Sequence, residues 1–376
     1  MPLPNSVMSR ESESFRLRHP LGRAARSDTV LRGTPMQQTR NARSGSAALG
    51  AAGAVLMAIS PTTTKGQVTD PGADTLPKSL TAQLVQDFHG AFGEHHARAV
   101  HSKGVILQGS FEPSPESREL SKAALFTRVV AVIVRFSDFT GLPDIPDTSA
   151  SANPRGLAIK FLLPDGSNLD VVNHSFNGFP VATAAEFGAL LRALGHSPAG
   201  TPSPTPFEEF LAARPAAKAF FTTQKPPPES FATTAFYGVN AFFFTDAAGQ
   251  SRPVRYRFVP EAGEHCLDPA ALQTRSATYL MDDITARVAD APVRFTWLAQ
   301  LGESQDRLDD PSAAWPESRP LVKLGTIAID RVGPNTPAAD RGLVFLPGTL
   351  PPGIGIADPM VTIRNAAYPV SFHERQ

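Results

Sequence analysis

Three residues near the end of the chain have the types and spacing to do chemistry together. In "IRNAAYPVSFHERQ" (363–376), Tyr368 follows Arg364 by four residues and precedes Arg375 by seven. At about 100° per residue, those offsets bring all three onto nearly one helix face, provided the helix continues through Pro369. One face would then carry a phenol with a cation on either side. The plainer reading is a C-terminal helix whose arginines complement the macrodipole and stack on an aromatic ring.

A second set lies far upstream. In "RAVHSKG" (98–104), His101 comes three residues after Arg98 and just before an apolar run. In "VIVRFSD" (132–138), strand alternation puts Ile133, Arg135 and Ser137 on one face and Val134 and Phe136 on the other. An arginine inside an apolar strand is costly unless an anion meets it. Taken singly, Arg135 reads as an edge residue reaching water and His101 as a hydrogen-bonded core histidine.

Other chemistries find no support. There is no Gly-rich phosphate loop after a strand, no His-Glu-x-x-His and no serine elbow. "HGAFGEHH" brings His89, His95 and His96 close in sequence, but without Cys or acidic partners at zinc spacing it reads as a solvated helix end. The 35 basic and 35 acidic residues cancel, so nothing suggests nucleic acid as a partner. Cys266 is the single cysteine, which excludes an internal disulfide. With 24 phenylalanines and only four tyrosines, the interior should be strongly apolar.

The elements that must position these residues begin near residue 78. Leu80, Leu84, Phe88 and Phe92 predict a helix over about 79–92. Strands are expected at 104–111, 129–136, 156–163, 293–300 and 324–330. A hairpin is expected where "NAFFFTD" and "VRYRFV" flank "AAGQSRP". Between 183 and 223 the pattern turns helical, opened by Thr183-x-x-Glu186 as a capping box. Hairpin-joined strands with helices added in blocks fit an α+β domain on a mainly antiparallel sheet or barrel.

The segment before it differs. Met1–Ser46 carries eight arginines against three acids and no hydrophobic period, which reads as disorder. "AALGAAGAVLMAI" (47–59) is too short for a comfortable membrane span but suits the apolar part of an export signal. Met36 opens a short basic stretch before it, so translation from Met36 is expected, with a signal over about 36–60 and a linker to 77. Export, to the periplasm in a Gram-negative cell, is the expectation; an Ala/Gly-rich linker or transit peptide on a cytoplasmic protein is the alternative.

Taken together, the two sets resemble the haem-binding core of the catalases. The resemblance continues in "NPRGLAIKF" (153–161), "DDPSAAWP" (309–316), "FLP" (345–347), "PPGIGIADPM" (351–360) and "RNAAYPVSFHER" (364–375), in the family's order over roughly 280 residues. It implies a catalase-like antiparallel β-barrel core with added helices over 78–376, and haem b as cofactor. Tyr368 would be the axial ligand of the haem iron, with Arg364 favouring its phenolate. His101 would move the proton of a bound peroxide, oriented by Ser137. Arg98, Arg135 and Arg375 would meet the haem propionates. Val100 would narrow the peroxide side, and Phe345 would pack near the proximal side.

Two departures qualify the resemblance. The family's distal asparagine should fall within "VVNHSFNGFP" (171–180), where strict register points to Ser175 and Asn173 and Asn177 lie within reach. The chain also ends eight residues after Tyr368, whereas ordinary catalases continue through further helices. It therefore resembles the small catalase-related haem peroxidases, which lack the C-terminal catalase extension. The expected activity is reduction of hydrogen peroxide or organic hydroperoxides by a small organic electron donor, with weak catalase activity beside it. A hydroperoxide isomerase or lyase of the same fold and a non-enzymatic haem-binding protein are the alternatives. The donor stays open, as does the oligomeric state, a homo-oligomer included.

Overall fold

A computed structural model describes residues 78–376 of the protein. The disorder, export signal and linker expected before residue 78 lie outside the described residues. Period-two alternation organises the strands. In β2 (Val130–Ser137), Val132, Val134 and Phe136 turn inward and are buried, while Arg135 and Ser137 face the other way. The same alternation runs through β1 (Gly104–Pro113), β3 (Gly156–Leu162), β5 (Phe236–Thr245), β6 (Ser251–Pro260), β7 (Val293–Leu301) and β8 (Leu321–Val332). β4 (Asn168–His174) completes the set.

The strands pair antiparallel in the order β4-β3-β2-β1-β8-β7-β6-β5, and a β4–β5 contact at His174 and Tyr237 closes them into an eight-stranded barrel. Closure removes the open edges that would otherwise recruit other chains. A short β9 (Ile354–Ile356) lies against β5. The barrel interior is filled, not hollow. Trp297 sits fully buried with ring centroids of Phe161 at 5.0 Å, Tyr256 at 5.3 Å and Phe111 at 5.4 Å. Each such ring contributes roughly 1.5–3 kcal/mol by burial. Because the inside is occupied, any site must be built from the outward faces of the strands and from the helices laid on them.

Those helices are α1 (Lys78–Phe92), α2 (Ser117–Leu120), α3 (Ala184–Gly195), α4 (Pro206–Ala212), α5 (Pro215–Thr222), α6 (Pro269–Gln273), α7 (Tyr279–Asp290), α8 (Pro337–Gly342) and α9 (Pro359–Glu374). The helical stretch expected over 183–223 is three helices, because the prolines at 198, 202, 204 and 206 interrupt it. Thr183 caps α3 by accepting from the Glu186 N–H at 3.3 Å, whereas the complete reciprocal capping box is at Thr205 and Glu208. Helix α1 lies against α3 and α9. His89 is paired with Glu374 at 2.9 Å and His95 bonds the Phe92 carbonyl at 2.7 Å, so these histidines tie a helix end to its surroundings. Helix α9 passes through Pro369, whose side chain is exposed. One turn earlier, the Asn365 side-chain oxygen accepts from the Gly348 N–H at 3.1 Å and ties the helix to the loop at Gly348.

Candidate active site

Between the outward faces of β2, β3 and β4, α1 and α9 lies a cavity reached by ten of the twelve residues singled out from sequence, all but Ser175 and Asn177. Helix α9 supplies the first group. Asp358 caps it, accepting from the Met360 N–H at 2.9 Å, and Pro359 takes the first helical position. One turn on, Arg364 directs its guanidinium at Tyr368: Nε donates to the phenolic oxygen at 3.0 Å and Nη2 at 2.7 Å. Its remaining nitrogen, Nη1, donates to Asn240 Oδ1 at 2.5 Å, and Asn240 Nδ2 donates to the capping carboxylate of Asp358 at 2.8 Å. Burial pushes the Asp358 carboxyl up, and Asn240 offsets part of that. A carboxylate, an amide, a guanidinium and a phenol thus form one chain. Asn240 lies where β5 slips its register against β6, which frees its side chain to reach Arg364.

His101 supplies the second group. Its backbone is left-handed, φ +56°, an uncommon conformation for a residue with a side chain. Hydrogen bonds over-determine it: the His101 N–H donates to the Phe139 carbonyl at 3.1 Å, and Arg135 Nη1 donates to the His101 carbonyl at 2.8 Å. The ring nitrogen Nδ1 lies 2.9 Å from the Asp138 carbonyl and 3.1 Å from Ser137 Oγ. A carbonyl only accepts, so Nδ1 carries the proton and Nε2 keeps a free lone pair. Burial first, and Arg135 second, lower the imidazole to about 3, so it is neutral at pH 7. The strand below leaves room for it. A Cβ on Gly156 would come within 2.3 Å of Ser137 Oγ and 2.7 Å of His101 Nδ1.

The third group is cationic. Arg135 Nε donates to Asp340 Oδ1 at 2.7 Å, Arg98 Nη2 to the Asp340 and Leu343 carbonyls at 2.9 and 2.6 Å, and Arg375 Nη2 to the Leu343 carbonyl at 2.9 Å. Three guanidiniums against one carboxylate leave two positive charges at this end of the cavity. Burial, and then Arg135, lower Arg98 to about 9; burial lowers Arg375 to about 10, partly offset by Asp340. Both stay charged at neutral pH. Phe345 is buried on the adjoining loop, with Lys160 Nζ 5.7 Å from its ring centre. The Leu346 N–H donates to Asp170 at 2.7 Å, anchoring that loop to β4. Val100 lines the cavity beside His101.

The three residues read as candidates for a distal amide divide differently. Ser175 is outside the cavity, its Oγ accepting from the Arg155 N–H at 2.9 Å, and Asn177 bonds Glu317 at 3.4 Å on the protein's outer side. Asn173 reaches the cavity wall, but alternation along β4 sets it with Leu169 and Val171, and its Nδ2 donates to the Leu157 carbonyl at 3.2 Å. The residue that β4 turns outward beside Val172 is His174, which lines the cavity and was missed from sequence. Extending the alternation one strand further, through "NLDVVNH", would have found it. Asp170 and Asn173 broke the apolar rhythm there; the former is accounted for by Lys160, which donates to both its oxygens at 2.8 and 2.7 Å.

The catalase family's sequence model matches residues 70–376. The chain belongs to the catalase family. A protein of Synechococcus elongatus named catalase-related peroxidase is 34% identical over 299 residues, covering 78% of this chain and 88% of that protein. A catalase-related peroxidase of Mycolicibacterium paratuberculosis is also 34% identical, over 301 residues, 78% of this chain and 94% of that protein. Among solved structures, a fungal catalase aligns with TM-score 0.66 and 20% identity over 74% of this chain and 59% of its own. Catalase A from Saccharomyces cerevisiae aligns with TM-score 0.65 and 20% identity over 74% of this chain and 61% of its own. The closed antiparallel barrel with helices on its outside is therefore the catalase fold, as the sequence implied.

Catalase-family proteins bind haem, and the donor set here fits that group. A phenol oxygen receives two guanidinium N–H groups at the cavity wall, an oxygen donor of the kind haem iron takes from tyrosine. Two uncompensated positive charges match two propionates, and the Nε of Arg98 is buried without a hydrogen-bond partner. Between these polar ends the wall is apolar, including Val85, Phe88, Phe187, Val239 and Ile363.

Proposed function

We propose that this chain is a haem b peroxidase that reduces hydrogen peroxide or organic hydroperoxides with a small organic electron donor, with weak catalase activity beside it. One observation carries the reading: a guanidinium-held phenol and a neutral imidazole with a free Nε2 face the same apolar cavity. The names of the two catalase-related peroxidases point the same way.

Tyr368 would hold the haem iron, with Arg364 orienting the phenol oxygen, while Arg98, Arg135 and Arg375 would meet the propionates. Bound haem supplies the site at which a peroxide oxygen is held and the two electrons needed to break the O–O bond. His101 does the proton work. Its free Nε2 takes the proton from the hydroperoxide and returns it to the departing oxygen, which leaves as water or an alcohol instead of a costly anion. Ser137 and the Asp138 carbonyl fix the ring so that the lone pair, not the proton, faces the cavity. Asp138 is itself braced, its carboxylate paired with the buried Arg155 guanidinium. A donor of the AH2 class would supply two electrons and two protons, so that the remaining peroxide oxygen leaves as water and the cycle is complete.

The test is direct. Protein loaded with haem b should oxidise a dye in proportion to added peroxide, and the haem-free protein should not. Full haem content with no peroxide-dependent dye oxidation would contradict the reading, and consumption of a lipid hydroperoxide without any donor would replace it with an isomerase or lyase. Export is proposed on the sequence alone, from the basic stretch and apolar run over 36–60. Its check is the N-terminus of the protein recovered from the periplasm or medium, expected near residue 60; an uncut N-terminus in the cytosol would oppose it.

A further inference from the structure

His174 is a buried imidazole that the mechanism above does not use. The structure fixes it at three points. Its backbone pairs with Gly156 on one side and with Tyr237 on the other, at the seam that closes the barrel. Its ring lies against Phe220, 5.9 Å between centroids at 90°, and Phe179, at 6.2 Å. Phe220 is in turn 5.8 Å from Phe139, which stands 5.6 Å from the His101 ring, so the two imidazoles share one aromatic wall.

The hydrogen bonds determine the tautomer. The Phe176 N–H donates to His174 Nδ1 at 3.3 Å. A nitrogen that accepts from an amide carries no proton, so in the neutral ring the proton is on Nε2. Burial first, and His101 second, lower this imidazole to about 3, so the neutral ring is the relevant one. Nε2 is buried and has no hydrogen-bond partner. An unsatisfied buried donor is costly, and a bound molecule that accepts from it recovers that cost. His101 has the opposite arrangement, its proton on Nδ1 and its lone pair on Nε2. Both imidazoles line one cavity, one with a buried N–H that no protein group engages and the other with a free lone pair, distinguished by which ring nitrogen the backbone engages.

We propose that His174 Nε2–H is the hydrogen-bond donor that orients a bound hydroperoxide in this chain, holding a peroxide oxygen while the Nε2 lone pair of His101 receives the proton. The inference rests on the peroxidase reading. It puts an imidazole where the sequence led us to expect an amide, since Ser175 and Asn177 lie away from the cavity and Asn173, on the alternate face of β4, directs an amide N–H to the Leu157 carbonyl. No bond to His174 forms or breaks; it lends a proton without transferring it.

Two measurements test this. In the first, 15N spectra of the full chain labelled at its nine histidines, with the His174 signal assigned from its loss in His174→Gln, report which ring nitrogen is protonated. Protonated Nε2 is expected; protonated Nδ1 overturns the proposal whether or not the peroxidase reading holds. In the second, fluoride serves as a small anionic acceptor in haem-loaded protein, its affinity read from absorption. His174→Leu, which keeps bulk but removes the donor, should weaken fluoride about tenfold or more and raise the KM for hydrogen peroxide by a similar factor, the scale of one lost hydrogen bond. His174→Gln, which returns an N–H, should recover most of both. Wild-type fluoride affinity in His174→Leu, or equal losses in both variants, would show a packing residue and overturn the assignment. Haem content, read on the same samples, separates this outcome from a failure of the peroxidase reading itself.

Discussion

The Arg364 guanidinium holds the phenolic oxygen of Tyr368 from two of its atoms, Nε at 3.0 Å and Nη2 at 2.7 Å. The geometry makes Arg364 a positioning residue for the phenol, and the Asn240 and Asp358 side chains behind it fix the guanidinium. Hydrogen bonds to a charged group contribute about 1.5–3 kcal/mol, so Arg364→Leu should weaken haem binding by roughly 10- to 100-fold. Asn240→Leu, which loosens the guanidinium without removing it, should fall between. Haem transfer to an excess acceptor measures both; equal retention in all three proteins would remove Arg364 from the site.

Gly156→Ala isolates the setting of His101 from its chemistry. The added methyl would lie 2.3 Å from Ser137 Oγ and 2.7 Å from His101 Nδ1, closer than real side chains approach. Because β3 is held between β2 and β4, the His101 ring must give way rather than the strand. Haem uptake should persist while peroxide-dependent turnover drops about tenfold or more, the usual consequence of a displaced general base. Unchanged turnover would mean that the ring has room to spare.

His101→Gln removes the base and leaves the proximal chain intact. Haem content should match the wild type, and peroxide turnover should fall by about 100-fold or more, the scale of general acid–base catalysis. A variant that retains its rate would transfer proton handling to another group.

The barrel was legible because its strands alternate strongly: Val132, Val134 and Phe136 against Arg135 and Ser137 distinguish one face from the other by spacing alone. The contact of Arg364 with Tyr368 was legible too, because helical spacing aligns the two residues. β4 was not. Its inward face carries Asn173, and its rhythm is broken by Asp170, whose cost is met by Lys160 ten residues away, a compensation invisible in the strand's own sequence. His174 was lost with it. The Asn240 and Asp358 contacts were hidden for a related reason, since they join residues 118 apart in sequence. The two charges left on the arginine cluster depend on Asp340, a surface-looking residue of a six-residue helix.

Acid sensitivity is expected from the two buried imidazoles. Both are lowered from 6.5 to about 3, by burial first, with Arg135 adding to the effect at His101 and His101 at His174. Below about pH 6.5 the unfolded chain takes up protons that the folded chain refuses, so stability is complete above that pH and declines as pH falls toward 3. Each imidazole contributes up to about 1.4 kcal/mol per pH unit. Urea midpoints at pH 7.5 and pH 5 should therefore differ, and the difference should shrink in His101→Gln/His174→Gln. An identical difference in that double variant would place the acid sensitivity elsewhere.

The central claim is that Tyr368 holds the haem iron through its phenol oxygen. Resonance Raman spectra of the ferric, haem-loaded protein test it most directly, because excitation into the phenolate-to-iron charge-transfer band enhances vibrations of the bound tyrosine ring. The wild type should show those tyrosinate bands. Tyr368→Phe, with no lone pair to offer, should lose them together with most of its haem, while its apolar cavity wall is unchanged. Full haem content with the tyrosinate bands intact in Tyr368→Phe would contradict the assignment outright.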